Sequence, residues 1–89
     1  MTTPITSNEH FLKRNVNMRN ELIKQTDYLM LPDVYETLND NQKQEIRDYR
    51  QSLRDFININ RNEYLIKGIN FIEFPKHPEW IKQIKIPKY

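Results

Sequence analysis

Residues 45–56 read E-I-R-D-Y-R-Q-S-L-R-D-F. Ile46, Tyr49, Leu53 and Phe56 recur at i, i+3, i+7 and i+10, which places them on one face of a helix. Arg47, Arg50 and Arg54 follow the same spacing one position on, so a guanidinium stripe runs beside the apolar one. Glu45, Asp48 and Asp55 balance its charge. This segment is the scaffold helix, and the rest of the chain is read by what it offers to these two stripes.

The helix has a start signal. Asn39-Asp-Asn-Gln42 pairs an N-cap side chain with an amide three residues later, and Asp40 suits the positive end of the helix dipole. The spacing predicts a helix through Phe56 that frays at Asn58-Ile-Asn60. Upstream, Thr6-Ser-Asn-Glu9 has the form of a capping box opening a first helix to about Lys24. Leu12, Val16 and Ile23 share a face of it, with Phe11, Met18 and Leu22 beside them. Asn15, Asn17 and Asn20 lower its propensity.

Between the helices, Gln25 to Tyr35 reads Q-T-D-Y-L-M-L-P-D-V-Y. Pro32 disfavours helix at Leu31, yet the stretch is too apolar for a solvated linker. It is expected to pack on the helices, with Asp27 and Asp33 bonding local backbone at either end. Beyond residue 57 the period changes. Tyr64 to Phe74 is rich in β-branched and aromatic residues around Gly68, the only glycine, and reads as two short strands or one extended strand. Pro75, Pro78 and Pro87 divide the remainder. The expected fold is mainly α: an antiparallel two-helix hairpin over residues 1–57 with a packed proline loop, and an extended arm over residues 58–89 with room for short β-strands.

Composition narrows the function. The chain has 89 residues, of which 37% are hydrophobic, and no cysteine. Its mean hydropathy is −0.88. The core of such a chain is marginal, and a partner would help complete it. Without cysteine there is no thiolate nucleophile, Cys-based zinc site or disulfide framework. One glycine cannot make a Gly-rich phosphate loop. His10 and His77 stand far apart with no third ligand at metal spacing, and carboxylates such as Glu45 and Asp48 sit on an open helix surface. No catalytic residue, metal or cofactor is expected. The start of the chain lacks a signal peptide's pattern, and no run approaches the roughly 18–20 apolar residues of a membrane span, so a soluble product is expected. Net charge is +2. The excess lies at the C-terminus, where residues 58–89 hold six basic and three acidic side chains.

Two sets of side chains stand out. Charge runs on helices are usually solvated, but Asp33 is placed to pair with Arg50 or Arg54 and clamp the loop onto the scaffold helix. Thr26-Asp27 reads as a helix-ending or loop-stabilising pair. Tyr28 and Tyr49 fit a core role first. Tyr28 and Leu31 on the loop, with Phe74, Trp80 and Tyr89 on the arm, are the candidate partner contacts, because aromatics bury large area at low entropy cost.

From residue 19 onward the chain resembles the phage tail assembly chaperone-like family, related to the C-terminal segment of tail fibre assembly proteins. Arg19-Asn-Glu-Leu-Ile followed by Thr26-Asp27-Tyr28 is similar to the family's R-x-x-L-L, then S/T-D-W. Leu31-Pro32-Asp33 follows, and Tyr49-Arg50-Gln51-Ser-Leu53-Arg54-Asp55 is similar to its Y-R-Q-x-L-R-D. Together these span residues 19–55. Tyr28 and Ile46 stand where the family commonly has Trp. Phe74-Pro75 and Pro78-Glu-Trp80 look like a distant version of its proline-flanked Trp. The resemblance implies a non-enzymatic protein that docks on a tail, tail-fibre or baseplate protein in the host cytoplasm during assembly, with a homo-oligomer as a further option. A permanent subunit of the virion tail is one alternative. The other is a small nucleic-acid-binding protein using the basic tail, whose binding would weaken steeply with salt.

Overall fold

The computed structural model describes residues 7–82, 84 and 85. The expected Thr6 cap and the arm residue Tyr89 lie outside them. Among the described residues there are three α-helices: α1 (Ser7–Gln25), α2 (Pro32–Tyr35) and α3 (Asp40–Leu65). A 3₁₀ turn, Asp27–Met30, follows α1.

The capping box at the start of α3 is formed as read. Asn39 Oδ1 accepts from the Gln42 amide at 2.8 Å, and Gln42 Oε1 accepts from the Asn39 amide at 3.0 Å. The far end differs from the expectation. α3 does not fray at Asn58–Asn60 but runs to Leu65. The apolar face continues past Phe56 through Ile57 to Tyr64, which is fully buried. Asn60 turns its amide back onto the Phe56 carbonyl at 2.9 Å, so this poor helix former is satisfied inside the helix. Tertiary burial of Tyr64 outweighs local propensity.

Contacts between α1 and α3 pair rising positions on one with falling positions on the other. Asn8 Nδ2 donates to the Leu65 carbonyl at 2.9 Å. Arg19 Nη1 donates to the carbonyls of Leu53 and Arg54 at 3.4 and 3.2 Å. Arg50 Nη1 reaches the Ile23 carbonyl at 3.1 Å. Ile46, Tyr49, Leu53 and Phe56 are all buried. Their stripe faces α1 and the arm more than the Leu31-Pro32-Asp33 loop: Phe56 stacks on Phe74 at 4.8 Å, and Tyr49 meets the edge of His77 at 6.4 Å.

Among the described residues there is no β-strand, so neither strand reading of Tyr64–Phe74 is realised; Tyr64 and Leu65 belong to α3. After α3 the chain reverses at Gly68, whose φ of 68° favours glycine. The Ile69 amide closes the reversal on the Glu63 carbonyl at 3.1 Å. The arm then lies along the helices. Its Asn70 carbonyl accepts from Arg14 Nη2 at 3.1 Å and Asn15 Nδ2 at 3.0 Å. At the other end the Gln25 side-chain amide bonds both the amide and the carbonyl of Lys85, at 2.6 and 2.9 Å. Phe74 and Ile81 are buried with the core residues of the helices. Each such side chain contributes about 1.5–3 kcal/mol, a large share of a small domain's stability. The arm is therefore part of the core.

Candidate functional site

The most exposed apolar stretch of the loop lies where α1 ends. Tyr28, Met30 and Leu31 are 44%, 37% and 56% exposed, while Leu29 between them is buried. The alternation follows from the 3₁₀ turn: Leu29 drops into the core as an anchor, and its neighbours are turned out. Leu31 then takes an extended conformation (φ −66°, ψ 137°), as the residue before Pro32 is expected to, and Pro32 opens α2. The result is a short apolar knob on an elbow between helices.

The elbow is held from α3. Arg50 Nη1 lies 2.7 Å from Thr26 Oγ1, 3.0 Å from Asp27 Oδ1 and 3.1 Å from the Ile23 carbonyl. Thr26 is fully buried, and its hydroxyl donates to the same Ile23 carbonyl at 2.7 Å. A guanidinium at the end of α1 also complements the negative end of that helix's dipole. Further along, Tyr35 receives Lys43 over its ring at 5.2 Å, which ties α2 to the first turn of α3.

This geometry corrects the expected clamp. Arg50 forms its ion pair with Asp27, and among the described residues no ion pair or hydrogen bond joins Asp33 to Arg50 or Arg54. The physical reason is the extended turn at Leu31, which carries Pro32 and Asp33 to the exposed start of α2, where the carboxylate lies in that helix's first turn. Arg54 contributes its backbone carbonyl to Arg19. Arg47 bonds locally to Gln44 Oε1 at 2.9 Å. The three arginines of the stripe thus have three different roles. Thr26-Asp27, read as a loop-stabilising pair, is where the guanidinium goes.

The arm residues also separate. Phe74 is buried against Phe56 and meets Phe71 edge-on at 5.9 Å, so in this conformation it is a core residue. Trp80 is half-buried against the same core. A cavity of about 90 Å³ lies beneath the arm, lined by Leu22, Tyr49, Phe71, Phe74, Pro75 and His77 among others. Burial raises the pKa of Tyr49 and of Tyr64 above the ordinary tyrosine value. Sequence reasoning did not single out Met30 as a contact, nor the exposed Ile59 on α3 and Ile66 at its C-cap. Their signal was available in the helical wheel, since both fall away from the Ile46–Tyr64 face.

Among the described residues no three His, Asp or Glu side chains converge as metal ligands, and no helix is long and apolar enough to cross a membrane. What fold and site define is a small helical protein presenting an apolar elbow on a braced scaffold. The model of the phage tail assembly chaperone protein family matches residues 13–79, and the chain belongs to that family. The match takes in α1 from Lys13 onward, the elbow, α3 and the arm as far as Glu79, well beyond residues 19–55 that carry the motif resemblance. Neither the curated proteins nor the solved structures yield a match.

Proposed function

We propose that this chain is a non-enzymatic tail assembly chaperone that docks on a tail, fibre or baseplate protein through the elbow Tyr28, Met30 and Leu31. Membership of the family gives it a role in phage tail assembly. The observation that carries the docking reading is the exposure of three apolar side chains within four residues on an elbow fixed by Arg50. Exposed apolar side chains held in a defined geometry are what a partner can cover without ordering cost. In this reading the helices work as an antiparallel hairpin that carries the elbow at its closed end, and docking takes place in the host cytoplasm while tails are built. Trp80, half-exposed on the arm, is a second contact at the margin.

The test is the Y28S/L31D double variant of the full chain, produced with the phage's other tail proteins. Its unfolding midpoint should stay close to that of the parent, because neither side chain belongs to the buried core, while the yield of assembled tails falls at least tenfold. Normal tail yield from the variant would sink the docking reading. Mass spectrometry of purified particles separates the two forms of the function. Near-stoichiometric presence makes the chain a tail subunit, and absence makes it a transient chaperone.

A further inference from the structure

The elbow carries charge of one sign around its apolar tip. From Thr26 to Gln42 the chain holds Asp27, Asp33, Glu36 and Asp40 and no lysine or arginine. The rest of the chain holds all fourteen Lys and Arg against eight Asp and Glu. All four elbow carboxylates belong to exposed residues. Local geometry sets where they stand. Residues three apart in a 3₁₀ turn lie on one side, so Asp27 shares a side with Met30. In α2, Val34 and Tyr35 pack against the core, which leaves Asp33 and Glu36, again three apart, on the outer side with Pro32. Cations border the stretch without covering it. Arg50 reaches Asp27 from below and spends the same nitrogen on Thr26 and the Ile23 carbonyl, and Asp27 stays largely exposed. Lys24 closes α1, and Lys43 is drawn over the Tyr35 ring. Among the described residues Asp33, Glu36 and Asp40 form no ion pair.

We infer that the protein partner receives the elbow in an apolar cleft rimmed by lysine and arginine. This rests on the docking reading above and adds the chemistry of the surface that is met. Interfaces are apolar at the centre and polar at the rim, and Tyr28, Met30 and Leu31 supply the centre. Asp27, Asp33 and Glu36 then fall on the rim, where the sign opposite decides their effect. A basic rim attracts them and steers the approach of the two proteins. A neutral rim takes away part of their hydration and returns nothing, and an acidic rim repels them. The same repulsion sets two elbows against each other, so a second copy's elbow is a poor occupant.

The experiment uses the full chain produced with the phage's other tail proteins. D33K/E36K should lower the yield of assembled tails about tenfold or more, and D33N/E36N by a smaller factor. D55K/E63K makes the same change in charge farther along α3 and should leave the yield close to that of the parent. Circular dichroism confirms that each chain is folded. The surface itself is read with p-benzoylphenylalanine in place of Tyr28, crosslinked by light in assembling tails and mapped by peptide mass spectrometry. The expected crosslink lies in an apolar segment of a tail protein with Lys or Arg close by, and changing those residues to Glu should restore yield to D33K/E36K. A crosslinked segment bordered by Asp or Glu, or by no charge, would overturn the inference. So would a crosslink to a second copy of this chain, or equal losses in D55K/E63K and D33K/E36K. Should D33K/E36K fail to fold, D33N/E36N and the crosslink decide. The two readings fail separately. Parental yield in D33K/E36K beside a loss in Y28S/L31D would overturn the basic rim and leave docking intact, whereas parental yield in Y28S/L31D would remove docking itself.

Discussion

Arg50 Nη1 lies 2.7 Å from Thr26 Oγ1, and Thr26 is fully buried. One nitrogen of α3 thereby fixes the end of α1 and the start of the elbow, because the same atom reaches the Ile23 carbonyl and Asp27. The exposed half of this arrangement is the ion pair, since Asp27's side chain is 60% exposed and Arg50's only 11%. Weight therefore falls on the buried hydroxyl and carbonyl.

R50A should cost about 1–3 kcal/mol, because it removes a partner of Thr26 and the carbonyl beneath it. D27A should cost well under that, about 0.2–1 kcal/mol, as a solvent-screened pair does. R50K should not restore R50A, since an ammonium on a flexible stem does not reproduce the guanidinium's fixed donors. Urea unfolding of the three variants checks the order, and D27A as damaging as R50A would refute it.

Phe74 tests whether the arm belongs to the core. Its ring is 8% exposed and stacks on Phe56 at 4.8 Å. F74A should lower stability by about 3–5 kcal/mol, the range for removing a buried aromatic. L31S, at the elbow, should change it by no more than about 0.5 kcal/mol. Thermal unfolding of both variants provides the comparison. A mild F74A would mean the helices hold without the arm.

The contrast between Phe74 and Leu31 shows how far the chain could be read from its letters. Local signals were legible: the cap at Asn39, the Ile46–Phe56 stripe, the break at Pro32 and the family motifs all depend on near neighbours. Three features were not, and each depends on residues distant in sequence. Which aspartate meets Arg50 is set by the extended turn at Leu31, which carries Asp33 away. The length of α3 is set by burial of Tyr64, which overrides the asparagines before it. Asn15, read as a flaw in α1, is fully buried and donates both to the Phe11 carbonyl of its own helix and to the Asn70 carbonyl of the arm. Helix propensity carries no information about a partner 55 residues away.

The capping box at Asn39 is the cleanest local test. Its two reciprocal bonds satisfy amides that the first turn of α3 would otherwise leave open. N39A should cost about 0.5–2 kcal/mol and N39G only a few tenths. Amide hydrogen exchange adds a positional readout: protection should fall first at residues 40–43 and leave Leu53 unchanged. Uniform loss of protection along α3 would show that the cap acts on the whole fold instead of the helix start.

Tyr64 carries an opposite kind of prediction, in which removing a polar atom helps. Its side chain is fully buried, and its hydroxyl has no hydrogen-bond partner among the described residues. Y64F should therefore be neutral or stabilising by about 1 kcal/mol, since it removes a buried group that leaves its bonding unmade. The pH dependence follows from the same burial, which raises the pKa of Tyr64 and of Tyr49 above 10.0. Between the unfolded value near 10.0 and the higher folded value, the unfolded chain has released protons that the folded chain still holds. Stability due to these groups is thus fully present below about pH 10 and falls as pH rises through the folded values. Denaturant unfolding at pH 8 and at pH 10.5 should show this loss in the parent. It should be smaller in Y64F and smaller again in Y49F/Y64F, with Tyr49 carrying the remainder. Equal alkaline losses in all three proteins would place the effect on other groups.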